Sequence, residues 1–177
     1  VPYGINSWHY NTVAQKELNN RCGFMPRGKV LGGSSSINAM VYIRGNKYDY
    51  DQWAANGNSG WDYDSLLPYF IKAENNKTFT NSELHGTQGP LHVQELNEPS
   101  PVNQCFLNAC VEQGVSLNND INATEQQGAR LSQVTQHNGE RCSAAKAYLT
   151  PHLKRANLTV LTNSHVNKVI INNNMAQ

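Results

Sequence analysis

The sequence predicts a mixed chain, α+β or α/β, in which short strands alternate with helices. Three observations carry this expectation. Leu66, Leu67, Phe70 and Ile71 form one apolar stripe at helical spacing. Asn138-Gly139 is a strong signal for a two-residue hairpin turn. Residues 158–161 and 166–171 are apolar runs of strand length, separated by a polar break.

Taken in order, residues 1–22 are polar and aromatic, and residues 26–51 read PRGKVLGGSSSINAMVYIRGNKYDYD. Gly32-Gly33 permits close backbone approach or positive φ. Ser34, Ser35 and Ser36 suit a helix N-cap, and Ile37, Met40, Val41 and Arg44 follow at the spacing of a helix face. A glycine turn feeding a capped helix offers N–H groups and a positive dipole end to an anion such as a phosphate. Arg27 and Lys29 add positive charge just upstream. The β-branched Val41 and Ile43 keep a strand open at the same place.

Residues 48–55 read as a short helix closed by Asn56-Gly57. Asp62 or Asp64 caps the next helix, which runs to about residue 75. Pro68 favours Asp64, because it then falls in the first turn, where N–H groups lack intrahelical partners. Its apolar stripe is expected in the core. A polar loop over 76–88 and Gly89-Pro90 lead into a strand at 91–93. Residues 100–114 form a helix that turns Val102, Phe106, Ala109 and Cys110 inward and stops at Gly114. After an acidic, amide-rich loop at 117–128, a strand at 129–136 enters the hairpin at 137–140. Ser143 caps a helix through about Lys154. The two apolar runs are strands joined by a turn at Asn163-Ser164, with Asn172 to Asn174 as the turn after the last of them.

At 177 residues the chain suits one domain with a real core. A net charge of +1 and scattered Lys and Arg argue against nucleic acid. No apolar run approaches a membrane span, and no secretory pattern opens the chain. The six histidines include no pair at helical metal-ligand spacing, and Cys-x-x-Cys is absent. Cys105 and Cys110 point apart on their helix, so the four cysteines read as free thiols of a reducing compartment. The serine run lacks a Gly-x-Ser-x-Gly context, which leaves capping as its expected role. Sequons at Asn76, Asn122 and Asn157 are attributed to the asparagine-rich composition.

The order Gly28, Lys29, Leu31, Gly32, Gly33, Ser34, Ser35, Ile37, Asn38, Tyr42, Gly45 and Asp51 resembles the first signature of the glucose–methanol–choline (GMC) family of FAD-dependent oxidoreductases. Trp8-His9-Tyr10, Trp53, Gly60-Trp61, LLPYF and GERCSAAKAYL are similar to its choline dehydrogenase-like branch, and the resemblance runs over nearly the whole chain. The family's G-x-G-x-x-G and its C-terminal catalytic histidine have no counterpart here, so the chain reads as an internal fragment. The resemblance implies a partial FAD-binding, Rossmann-like domain with part of the substrate domain. Residues 1–96 would be the central part with the flavin lid, 97–135 part of the substrate domain, and 136–177 the adenine side.

By the same resemblance, Gly32, Gly33 and Ser34 lie against the FAD pyrophosphate. Asn38, Ala39, Met40 and Val41 run beneath the isoalloxazine ring with backbone N–H groups near N5, O4 and N1–C2. Trp8 stands where some members place an aromatic against the cofactor, and the backbone of Val166 contacts adenine. Ile37 occupies a position where some members carry a histidine joined to FAD, so the flavin is expected to be noncovalent. The implied reaction is oxidation of a primary alcohol, choline or another, with hydride passing to the flavin. The implied electron acceptor is a quinone or respiratory carrier, and the implied location is cytoplasmic or peripheral to a membrane. No catalytic residue is assigned within the chain, which alone is expected to be inactive. The rival readings are a family-like hydroxynitrile lyase with a structural FAD, and a non-catalytic binding module. An excised segment is also expected to expose apolar surface and to self-associate.

Overall fold

Among residues 4–176, which the computed structural model describes, ten short strands pair into five two-stranded sheets around three α-helices. The leading residues 1–3 of the expected lid lie outside the described residues. β1 (Tyr10–Asn11) pairs antiparallel with β2 (Phe24–Met25). The pairing continues past both strands, because the Trp8 N–H donates to the Arg27 carbonyl at 2.9 Å and the Lys29 N–H to that of Asn6 at 2.7 Å.

The helix expected to follow Ser34 does not form. A single 3₁₀ turn, Gly33–Ser36, ends at Ile37, and the chain then enters β3 (Val41–Tyr42). Pairing across the molecule wins over local periodicity: Val41 faces Val134 of β6 (Gln133–Val134), and the Thr135 N–H donates to the Met40 carbonyl at 2.8 Å. The strand alternative at Val41 is therefore the correct one.

α1 (Lys47–Ala55) starts in a capping box. The Asn46 side chain accepts from the Tyr48 N–H at 2.9 Å, and Asp49 accepts from the Asn46 N–H. α2 (Tyr63–Ala73) is capped by Asp62, which accepts the Ser65 N–H at 2.9 Å. The expected start at Asp64 is thus corrected, and Pro68 lies in the second turn, where it removes one intrahelical hydrogen bond. The stripe of α2 is half-buried rather than core. Straight after it, β4 (Glu74–Asn76) runs parallel to β5 (Leu91–Val93).

α3 (Pro101–Glu112) falls within its expected span of 100–114 but does not bury its expected face. Val102 is 71% and Phe106 65% exposed, and Ala109 is exposed too. The half-buried row is Asn103, Leu107 and Cys110. Periodicity located an apolar face, but among the described residues little packs against it. β7 (Gln136–His137) and β8 (Glu140–Arg141) form the expected hairpin, with Asn138 and Gly139 both at positive φ. Ser143 accepts the Lys146 N–H at 3.2 Å, but the helix it opens is a π turn, Ala145–Leu149, passing into a 3₁₀ turn at Thr150–His152. Residues 158–161 and 166–170 are not in strands. Only β9 (Ile171–Asn172) pairs, with β10 (Met175–Ala176), so Asn173 and Asn174 form a hairpin turn instead of closing a last strand. All four cysteines are unpaired. Asn76 and Asn122 are about as buried as any residue in the fold, at 1% and 2% exposure, which removes two of the three sequons from consideration.

The interior is largely polar. Val93, Val134, Tyr63, Cys142 and Ala147 are buried, but so are Arg44, Glu74, Asn76, His85, Asn122 and Gln133. Glu74 is the hub. Its carboxylate accepts from Arg44 Nη2 at 2.5 Å, Asn76 Nδ2 at 2.7 Å and the Gly86 N–H at 3.2 Å, and it meets His85 Nδ1 at 2.9 Å. His85 Nε2 lies 2.8 Å from Asp120. Burial alone would pull the His85 imidazole down, but Glu74 and then Asp120 outweigh it, so its pKa stands above the ordinary value. A raised histidine pKa gives stability that is complete below the unfolded value and is lost as pH rises through the folded one. The urea midpoint of the full-length protein is therefore expected to fall as pH rises above about 6.5. His85→Gln should remove that part of the slope, and an unchanged slope in the variant would refute the assignment.

Candidate functional site

An open cleft of about 810 Å³ lies between the β1–β2 ribbon and residues 161–166. Trp8 and Val166, from opposite ends of the sequence, line it together with Lys29 and His165. The Trp8 ring meets the His165 ring edge-on at 5.4 Å, and Lys29 Nζ sits 4.7 Å from the Trp8 ring centroid. Trp8 is held in place by its backbone bond to Arg27, and the exposed lysine brings a cation to the cleft wall.

The glycine–serine loop continues from that wall, where residues 28–31 line the cleft. A Cβ on Gly28 would lie 2.2 Å from the Gly33 carbonyl oxygen, so the loop crosses itself at a spacing open only to glycine. Gly32 and Gly33 have φ of 86° and 56°. The position of a Gly33 Cβ has no atom within 4 Å, whereas that of Gly32 is pressed to 3.1 Å from Ala145. The serines do not cap the 3₁₀ turn as expected. Ser34 Oγ accepts from the Gly28 N–H, Ser35 Oγ donates to the Gly32 carbonyl and accepts the Ala144 N–H, and Ser36 Oγ donates to the Leu31 carbonyl. Their hydroxyls fasten the loop to itself and to residue 144.

Asn38, Ala39, Met40 and Val41 do not line the cleft; they lead into and begin β3. Met40 has φ of 64°, a conformation that side chains with a Cβ resist. Asn38 Oδ1 accepts both the Met40 N–H at 3.0 Å and Arg141 Nη1 at 2.7 Å. The same Arg141 nitrogen reaches the Ser35 carbonyl at 3.0 Å. Asn38 and Met40 therefore spend their N–H groups within the loop, on Ser34 and Asn38. Ala39 and Val41 do not. Ala39 is exposed and outside those bonds, and Val134, opposite Val41, gives its own N–H and carbonyl to Gln94. Ile37 brings no nucleophilic atom to this stretch. Sequence reasoning missed Arg141 and Thr135, although GERCSAAKAYL contains the arginine directly after the hairpin turn.

A glycine loop with an open face thus lies beside an aromatic-walled cleft, and the family of the chain is established by comparison. The chain belongs to the GMC oxidoreductase family, whose model matches residues 9–177. It is 42% identical over 170 residues to alcohol dehydrogenase (acceptor) of Pseudomonas putida, covering 96% of this chain and 31% of that one. It is also 42% identical over 164 residues to mitochondrial choline dehydrogenase of Mus musculus, covering 93% of this chain and 27% of that one. The crystal structure of pyridoxine 4-oxidase from Mesorbium loti superposes with a TM-score of 0.91 at 32% identity, over 100% of this chain and 35% of that one. An FAD-dependent oxidoreductase from Chaetomium thermophilum superposes with a TM-score of 0.89 at 30% identity, over 99% and 32%. The chain thus spans about a third of the length of these relatives, and the family fold expected from residues 28–51 is the fold observed.

Proposed function

We propose that the protein containing this chain is an FAD-dependent dehydrogenase that oxidises a primary alcohol, choline or another, to the aldehyde. The open face over Gly33 carries the reading: a positive-φ glycine beside the aromatic-walled cleft leaves room for a phosphate that any Cβ would narrow. Gly32, Gly33 and Ser34 would face the pyrophosphate, Trp8 would meet the cofactor, and the backbone of Val166 would meet adenine. Asn38, Ala39, Met40 and Val41 would lie along the flavin, with Ala39 and Val41 supplying the donors. When bound, the flavin supplies the hydride acceptor. This chain's own part is to hold and orient it. Ile37 cannot form a covalent link, so FAD would be held noncovalently.

The division into 1–96, 97–135 and 136–177, a quinone or respiratory carrier as acceptor, and a cytoplasmic or membrane-peripheral location belong to the same reading through the family resemblance. Among the described residues no helix is long and apolar enough to cross a membrane. Exposed Val102, Phe106, Val169 and Ile171 support self-association of the isolated chain.

The test is an absorption spectrum of the full-length protein. It is expected to be yellow, to bleach anaerobically with an alcohol, and to release its FAD on denaturation. A protein that takes up no flavin when FAD is supplied would put the binding-module reading in its place. Gly33→Asp gives a sharper check. Aspartate tolerates left-handed backbone and meets no neighbour here, yet it places a like charge against the pyrophosphate. FAD affinity should fall by about ten- to a hundredfold, equivalent to about 1.4–2.8 kcal/mol. An unchanged dissociation constant would remove Gly33 from the site.

A further inference from the structure

We infer that Arg141 is a positioning residue for the flavin-side backbone. It fixes Asn38, which holds Met40 in its left-handed conformation and so sets the peptide plane that carries the Val41 N–H. The inference rests on the reading of residues 38–41 as lying along FAD.

Met40 is neither glycine nor asparagine, so its φ of 64° must be imposed from outside. Two clamps impose it. On one side the Thr135 N–H holds the Met40 carbonyl at 2.8 Å. On the other, Asn38 Oδ1 holds the Met40 N–H at 3.0 Å, and that oxygen is itself fixed by Arg141 at 2.7 Å. Arg141 also grips the Ser35 carbonyl at 3.0 Å, so one guanidinium ties the 3₁₀ turn to the stretch that follows it. The Ala144 N–H on Ser35 Oγ at 2.8 Å and the contact of Gly32 with Ala145 complete the fastening from residues 141–145. Without Arg141 the Asn38 amide is free to turn. Met40 can then relax to negative φ, and the peptide planes on both sides of it rotate. Those planes carry the N–H groups of Met40 and Val41, so the Val41 donor would be turned out of its place. Preorganised donors stabilise charge only while they are held in aim, so the reduced, anionic flavin should lose more than the oxidised one.

The test uses the full-length protein. In the FAD-loaded protein, Arg141→Met is expected to bind reduced flavin about tenfold more weakly relative to oxidised flavin, a fall of about 30 mV in the two-electron potential. Arg141→Lys should move it in the same direction by less. Met40→Gly in the Arg141→Met background should recover the potential, because glycine adopts this φ without help. In the apoprotein, hydrogen exchange of the Met40 amide should quicken about tenfold in Arg141→Met, whatever the flavin does. Unchanged potential and exchange in both arginine variants would overturn the inference alone. Failure of Met40→Gly to recover the potential would overturn the route through Met40. A wild-type protein that binds no FAD would overturn the site reading and the inference together, even with the exchange result as expected.

Discussion

Glu74→Ala is expected to destabilise the full-length protein by about 3–5 kcal/mol, the usual penalty for removing one partner of a buried ion pair. The Glu74 side chain is 0% and that of Arg44 3% exposed, and the carboxylate also satisfies His85, Asn76 and the Gly86 N–H. Alanine would leave the Arg44 guanidinium without its carboxylate partner and the His85 imidazole with Asp120 alone. There is no slack to absorb this, because the buried Arg44 Nε already lacks a partner. Glu74→Gln keeps the shape and two acceptor sites, and should cost about 1–3 kcal/mol. Burial pushes the Glu74 carboxyl up, but His85, Asn76 and Arg44 more than offset it, and its pKa lies below the ordinary range. Its contribution is thus present above the unfolded carboxylate pKa and is lost as pH falls through the folded one. Urea unfolding at pH 7 and below the unfolded carboxylate pKa of about 4.3 would measure both effects. A Glu74→Ala penalty below about 1 kcal/mol at pH 7 would mean that the network carries no net stabilisation.

Gly86→Ala should be comparably severe by a different cause. A Cβ there would lie 1.8 Å from the Ile71 carbonyl oxygen and 2.7 Å from that of Glu74, so the end of α2 must separate from the loop before β5. Neither oxygen belongs to a flexible side chain. The expected loss is about 3 kcal/mol or more, at the upper end of overpacking penalties. Gly139→Ala is the control. Its Cβ would meet nothing within 4 Å, and only the φ of 75° resists it, so about 1–2 kcal/mol is expected. Comparable losses in the two variants would show that close approach is not the reason for glycine at position 86.

These two positions also mark where sequence reading stopped. Elements defined by local chemistry were legible. The Asn138-Gly139 turn, α1 with its Asn56-Gly57 end, the strand Leu91–Val93 and the bounds of α3 all depend on nearby residues. Elements defined by a distant partner were not. Glu74–Asn76 has no strand propensity and pairs because Gly86 and Gly89 let chains close in on it. His85 appeared as one of six unremarkable histidines, since neither Glu74 nor Asp120 is near it in sequence. The helix after Ser34 had good spacing but lost to pairing with residues 133–135. The runs at 158–161 and 166–170 have strand composition, yet a strand needs a neighbour to pair with. At the candidate site, the order of residues carried the family, whereas glycine and helix-terminus arguments alone would have suited many anion sites. The clamp from Arg141 was out of reach because its acceptors lie more than a hundred positions away.

That separation governs when the loop can exist. The bonds that tie Ser35 and Met40 to the rest of the chain bridge 95, 106 and 109 positions, so none can close until the far hairpin is available. Closing so long a span consumes chain entropy before any contact rewards it, which places the loop late in the order of folding. On the ribosome, residues 32–40 must wait, unfastened, for residue 144 to emerge. This surface is thus a late product of assembly and cannot serve as a nucleus for folding.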